Sequence, residues 1–518
     1  MKSIYMKSIL PATLALIVGT SSCVNDLDVD PTIDKSTTME LDRDGLFTKI
    51  YANMALTGSQ GPAGSGDIAD IDEGMSDFSR QLWNANELPT DEAICSWGDA
   101  GIPEYNYGTW DASHNMVTCL YYRLYYGITV ANFFLSETES MTDETTMQMK
   151  AEARFLRALY YAYAIDLFGN VPFLTTLSAD NAPQAKRADV FNFIVEELLE
   201  CEKDMKEPLT NTYGRADKAA VWLLLSRLYL NAEVYTGTAM WDKAAEYAEK
   251  VMNSGYELCD DYSLLFMGDN NANGAQNEII LPIICDGIDT QNYGSGLFLI
   301  ASTHKDDMGN IGTSENWAGN RARRQLLDKF FPTSEAPTVD VAEMVAAAGD
   351  DRALFFGKDR TLAIEEPTAF TEGFSCAKFT NLYSTGAASR DPKFVDMDVP
   401  FMRLAEAYLT YAEAKTRNGD SGSAKTAIDA LRKRANASTQ PEYTLNDICD
   451  EWAREFYFEG RRRMDLIRFG FFGGNSSYVW EWKGGVKAGT NFSATKNVYG
   501  IPTNELVSNP NLSQNTGY

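Results

Sequence analysis

Two histidines, His114 and His304, stand 190 positions apart in a chain of 518 residues, which leaves little general-base capacity near neutral pH. No Gly-x-Ser-x-Gly, His-Glu-x-x-His or Gly-x4-Gly-Lys-Ser/Thr pattern occurs. Acyl transfer, zinc proteolysis and P-loop phosphate binding therefore lack their signatures. Two carboxylates alone can hydrolyse a glycoside, but with 73 acidic residues no particular pair is marked. One run has metal-ligand spacing: Asp269-x-Asn271-x-Asn273-Gly274 reproduces the first half of a calcium loop, in which oxygen ligands at alternate positions face the ion. The bidentate acid that would close such a loop is absent, since position 280 is Ile. Structural calcium and a plain Asn/Gly-rich turn are both compatible with this run, and no other cofactor is called for. Seven cysteines beyond Cys23 show no Cys-x-x-Cys spacing, so neither a zinc site nor a disulfide framework is supported.

The charge narrows the ligand. Forty-five basic against 73 acidic residues give −28, and a deficit of this size repels nucleic acid and anionic membrane faces. The N-terminus reads as an export signal over 1–22: Lys2 and Lys7, an apolar run from Ile9 to Val18, then small residues before Cys23. That pattern suits lipoprotein processing, with Cys23 as the lipidated residue and 23–45 as a tether; the alternative is ordinary secretion with an incidental cysteine. Cleavage leaves −30, because two lysines go with the signal.

The elements that must position any site are helical. Apolar residues Phe155, Leu156, Leu159, Tyr163 and Leu167 share one face of a helix from Ala151 to Phe168. Trp222-x2-Leu225-Ser226-x2-Tyr229 and Phe401-x2-Leu404-Ala405-x2-Tyr408 match the first helix of a tetratricopeptide unit, and partner helices follow each. Stretches 116–136 and 451–468 complete the helical set. The fold class is mainly α: a tetratricopeptide-like helical-hairpin scaffold, mainly 116–255 and 401–470, with a loop-rich half, mainly 60–110 and 260–400. Residues 46–518 form one compound domain, and the loops of its irregular half are where binding residues are expected.

Four segments in order resemble the SusD family of surface glycan-binding lipoproteins. They are Phe155-Leu156-Arg157-Ala158 with Phe168-Gly169-x-Val171-Pro172; Gly214 to Ala220; Glu455-x3-Glu459-Gly460-Arg461-Arg462 to Gly470; and the terminus from Ile501-Pro502 to Tyr518. The resemblance spans essentially the whole mature chain. It implies no enzymatic activity, an outer-membrane location facing the exterior, and delivery of captured oligosaccharide to a SusC-like TonB-dependent transporter. Other surface glycan-binding lipoproteins or glycosidases are further partners. On the family's starch-binding pattern the aromatic platforms fall on Trp97, Tyr293 and Trp317, and the hydroxyl-reading arginine on Arg80. A sugar-contacting polar residue aligns to Ala100, or to Asp99 if the gap shifts. Where that pattern has a second Trp, this chain has Cys95. The implied ligand is an α-glucan, starch-like α-1,4 chains first and dextran-like α-1,6 chains second. A protein-interaction scaffold is the rival reading, since helical repeats also bind peptides.

Overall fold

The computed structural model describes residues 41–69 and 71–518; the signal segment, Cys23 and most of the expected tether lie outside them. Arg43–Tyr518 forms one compact unit, and its first helix, Arg43–Ala55, already begins within the last residues assigned to the tether.

Both tetratricopeptide matches become helical hairpins. Lys218–Leu230 packs on Trp241–Met252, and Leu404–Arg417 on Ser421–Arg434. The small residue of each motif, Ser226 or Ala405, is fully buried, so the backbones can approach closely. Its neighbours, Arg227 and Glu406, form a two-pronged ion pair of 2.7 and 2.8 Å that joins the hairpins. Leu404–Arg417 also packs directly on Trp241–Met252, so the chain leaves the stack at about 255 and rejoins it at about 401. Asn115–Glu137 and Glu144–Phe168 supply a further pair. The second of these starts earlier than the apolar pattern indicates, because Asp143 caps it by accepting from Thr146 N–H. Gly169, at φ +70°, ends it.

Two expectations are corrected. The single helix over 451–468 is two, Leu445–Phe456 and Arg462–Arg468, because Phe458 and Gly460 take positive φ between them. Phe401, the first residue of the second repeat match, lies on the strand Val399–Arg403, which pairs antiparallel with Ile279–Ile283.

The irregular half is held by an antiparallel four-stranded sheet in the order Ala93–Cys95, Asn320–Ala322, Phe374–Cys376, Phe355–Phe356. It also contains short helices such as Phe78–Glu87 and Ser295–Ala301. All seven described cysteines are buried and unpaired, as small hydrophobes are. Trp452 is buried, and Trp222 and Trp241 pack half-buried on the helical core.

Asp398 is fully enclosed, accepting from Cys285 N–H at 2.7 Å and the Tyr213 hydroxyl at 3.0 Å, and burial pushes its carboxyl up to about 7. In an unfolded chain this group ionises near pH 4. Between about pH 4 and 7 the folded state therefore holds a proton that the unfolded state has lost, and stability falls as pH rises, by up to about 1.4 kcal/mol per unit. Asp398→Asn can keep both hydrogen bonds and is expected to flatten this slope in urea unfolding compared at pH 5 and 8. An undiminished slope in the variant would refute the assignment.

Candidate functional site

The antiparallel register Cys95↔Asn320 sets the site. Trp97 lies two residues beyond one strand and Trp317 three residues before the other, so the pairing delivers both indoles to the same end of the sheet. Ser96 N–H extends the pairing by donating to Gly319 O at 3.0 Å, and Asn106 clamps Cys95 through both backbone groups at 3.0 and 2.7 Å. Gly319 is required here. Its φ is +106°, and a Cβ at that position would stand 2.3 Å from Trp97 Nε1. Trp97 packs edge-on against Phe298, with ring centres 6.4 Å apart. On the other side of the cleft, Trp317 N–H and Ala318 N–H both donate to Ala301 O, and Trp317 Nε1 donates to Glu315 at 2.6 Å, which fixes the ring.

Tyr293 arrives from a different loop. Its ring centre is 6.4 Å from that of Trp317 and 5.8 Å from that of Phe394. Asp77 ties this loop to the start of the Phe78–Glu87 helix, accepting from Arg80 N–H at 2.7 Å and from Ser295 N–H at 3.2 Å. Gly294 permits the contact, since a Cβ there would overlap the Asp77 carboxylate. Arg80 is thereby placed on the first turn of that helix. Its Nη1 makes only long contacts, 3.4 Å each, to the carbonyls of Gly74 and Tyr293, and its Nε has no hydrogen-bond partner. The guanidinium lies 5.2 Å from the Phe298 ring centre. Burial pushes it below its ordinary value, while Asp77 and Asp99 act in the opposite sense.

Trp97, Tyr293, Trp317, Arg80 and Asp99 thus meet in one open cleft of about 400 Å³. Asp99 is exposed at its edge, and Ala100 is not part of its wall. Asp72, Glu73 and Gly74, which sequence reasoning missed, complete the lining. Lys393 was missed as well: its Nζ donates to the Tyr293 hydroxyl at 3.0 Å and lies 3.4 Å from Glu315. A hundred positions separate Lys393 from Tyr293, and nothing local to Lys393 signals the contact. Cys95, by contrast, is a core residue, 1% exposed, whose thiol burial pushes up to about 12.

Half-buried aromatic faces beside under-used planar donors and exposed carboxylate acceptors suit an uncharged ring carrying many hydroxyls. The faces pack on C–H surfaces, while Arg80, Asp99 and Asp72 address the hydroxyl rim. Neither histidine lines the cleft. His304 is buried and held at about 4, and burial lowers His114 as well. The carboxyls raised by burial, Glu87, Glu92, Asp217, Asp328, Asp398 and Glu481, do not line the cleft.

The calcium ligands do not fit the ion. Asp269 accepts from Ser384 N–H and hydroxyl and from the Asn273 amide. Asn273 Oδ1 accepts from Ala275 N–H, and Asn271 is exposed. The oxygens of Asp269 and Asn273 already face protein donors, as they do in an Asn/Gly turn.

The chain matches two family models, the SusD family over residues 266–518 and "Starch-binding associating with outer membrane" over residues 26–230. Starch-binding protein SusD of Bacteroides thetaiotaomicron is 44% identical, with the whole of both chains covered. Among solved structures, a laminarin binding SusD-like protein superposes with a TM-score of 0.68 at 20% identity, covering 92% of this chain and 99% of the other. Surface glycan-binding protein A from Bacteroides thetaiotaomicron, in complex with laminarihexaose, gives 0.67 at 19% identity, covering 91% and 98%. These likenesses agree with the helical-hairpin scaffold built above, and identity of this extent over the full length shows that the chain belongs to the SusD family.

Proposed function

We propose that this protein captures α-glucan oligosaccharides at the outer cell surface, anchored through Cys23, and passes them unaltered to a SusC-like TonB-dependent transporter. The observation that carries the reading is the convergence of Trp97, Tyr293 and Trp317 with Arg80 in one open cleft. The starch-binding name of the relative at 44% identity favours an α-glucan. Each stacked sugar that removes about 100 Å² of apolar surface from water contributes roughly 2–3 kcal/mol before ordering costs. Three such contacts, less those costs, correspond to dissociation constants between about micromolar and millimolar, which suits a receptor that must release its cargo. The net charge of −28 has no part in recognising a neutral sugar and keeps the surface soluble.

Affinity electrophoresis of the folded protein through gels containing starch, pullulan, dextran, fructan or laminarin tests the reading. Retardation by starch, by pullulan or by dextran is expected. Retardation by laminarin alone would overturn the α-glucan assignment while keeping glycan capture, and free migration in every gel would sink both. A pull-down that recovers a large outer-membrane barrel supports delivery, whereas recovery of soluble partners alone contradicts it.

A further inference from the structure

The cleft shares one wall residue, Asp72, with a second and larger concavity of about 910 Å³. Met75 lines the groove and Gly74 the cleft, so the short turn Glu73–Ser76 forms the ridge between them. The groove floor is one face of the Asn115–Glu137 helix, where Thr118, Tyr122, Tyr126 and Thr129 follow helical spacing. Tyr122 and Tyr126 are half-buried. They present ring surface, while Asn115, Thr118, Thr129 and Asn504 place amides and hydroxyls around it.

The opposite wall is anchored at Asp67 and Ser76. Arg123, fully buried beneath it, donates to both Asp67 oxygens at 2.8 and 3.1 Å, to Ser76 O at 2.7 Å and to Ser76 Oγ at 2.8 Å. Asp67 is thereby paired, and no Lys or Arg is among the described residues that line the groove, although Lys49 Nζ lies 5.5 Å from the Tyr126 ring centre. Aromatic faces interleaved with hydrogen-bonding groups and the exposed Asp72 carboxylate, beside apolar Ile68, Ile71 and Met75, at the upper end of the volume range of ligand sites, resemble the mixed chemistry of the cleft. A docking surface for an amphipathic helix would instead offer a continuous apolar stripe.

We propose that this groove is a second glycan subsite, in which a long α-glucan already held in the cleft crosses the Glu73–Ser76 ridge and stacks on Tyr122 and Tyr126. The inference rests on the reading of the cleft as a glycan site. A ligand tethered at the cleft meets the groove at high local concentration, so chain length adds affinity without new contacts in the cleft.

The test is calorimetric titration of the folded protein with maltotriose and with a long linear maltodextrin. Tyr122→Ala/Tyr126→Ala is one variant. Thr129→Trp is the other, filling the groove from its exposed edge without removing a core contact. The wild type is expected to bind the long chain more tightly than the trisaccharide. Both variants are expected to lose about tenfold of the long-chain affinity with the trisaccharide affinity unchanged. Equal long-chain affinity in wild type and variants overturns the subsite. If that result comes with reduced recovery of the transporter, the groove is a protein interface instead. Absence of trisaccharide binding to the wild type defeats the cleft reading itself, and the subsite with it.

Discussion

Replacing Trp97, Tyr293 and Trp317 together with Ala is expected to abolish measurable α-glucan binding while leaving the fold intact. Each ring that stacks on a sugar contributes roughly 2–3 kcal/mol, so a single truncation should cost about 30- to 150-fold in affinity and the triple change more than about 10,000-fold. From a starting constant between micromolar and millimolar, that loss leaves nothing to measure. Stability should change little by comparison, because all three rings are only half-buried in the cleft wall. Tyr293 allows a finer reading. Its hydroxyl holds Lys393, and its ring lies against Phe394. Tyr293→Phe should therefore keep the stacking contribution and lose only what an ordered Lys393 adds. Calorimetry with circular dichroism as the fold control checks each variant; unaltered affinity in the triple variant would falsify the site.

The helical scaffold and the site differed in how far local sequence could reveal them. Ser226 and Ala405 mark close-packed hairpins because the spacing and the small residue both lie within one helix turn or two, and the structure buries both fully. Tyr293 and Trp317 stand in polar, glycine-flanked runs, which signals exposed loop aromatics. The meeting of Trp317 with Trp97 depends on the register Cys95↔Asn320, a pairing across more than two hundred residues, and that of Tyr293 on the Asp77 contact to its loop. Residue pattern alone does not specify such a pairing. The resemblance to a family did, by supplying the tertiary neighbours. Asp72, Glu73 and Gly74 escaped because their role comes from an irregular turn that Arg123 anchors from below. The break at 457–461 escaped for a different reason: the apolar periodicity of Trp452, Phe456 and Leu466 runs across it, and a positive φ at Phe458 leaves no trace in composition. The calcium-like run left two readings open because Asp and Asn at alternate positions serve turn hydrogen bonds and metal ligation equally well.

The segment Glu455-x3-Glu459-Gly460-Arg461-Arg462, prominent in the family pattern, joins the two halves of the protein. Glu451, Glu455 and Glu459 follow one another at intervals of four and meet cations from separate parts of the chain. Glu455 accepts from Arg403 at 2.6 Å, from Arg352 at 3.1 Å and from Arg434. Glu451 accepts from Arg352 at 2.8 Å and Arg432 at 2.6 Å, and Glu459 from Arg403 and Lys378 at 2.7 Å each. Arg352 and Lys378 belong to the irregular half, while Arg432 and Arg434 lie on the last hairpin of the scaffold. The side chains of Glu455, Arg403 and Arg352 have no solvent exposure. Deleting the Glu455 carboxylate leaves three guanidiniums short of a partner where water cannot replace it. Glu455→Ala should therefore cost about 3–5 kcal/mol, a large share of the 5–15 kcal/mol typical of whole proteins. Glu455→Gln, which keeps the volume and an acceptor oxygen, should cost less. Burial alone would raise the carboxyls of Glu455 and Glu451, but the surrounding arginines override it and hold both low, Glu451 at about 2. Unfolded glutamate ionises near pH 4.3. The network's contribution is therefore complete above that value and drains away as pH falls toward 2. Urea unfolding at neutral pH measures the cost of each variant, and an acid titration followed by circular dichroism measures the slope. A Glu455→Ala protein as stable as the wild type would mean that the arginines find other acceptors and that Glu455 is not needed to join the two halves.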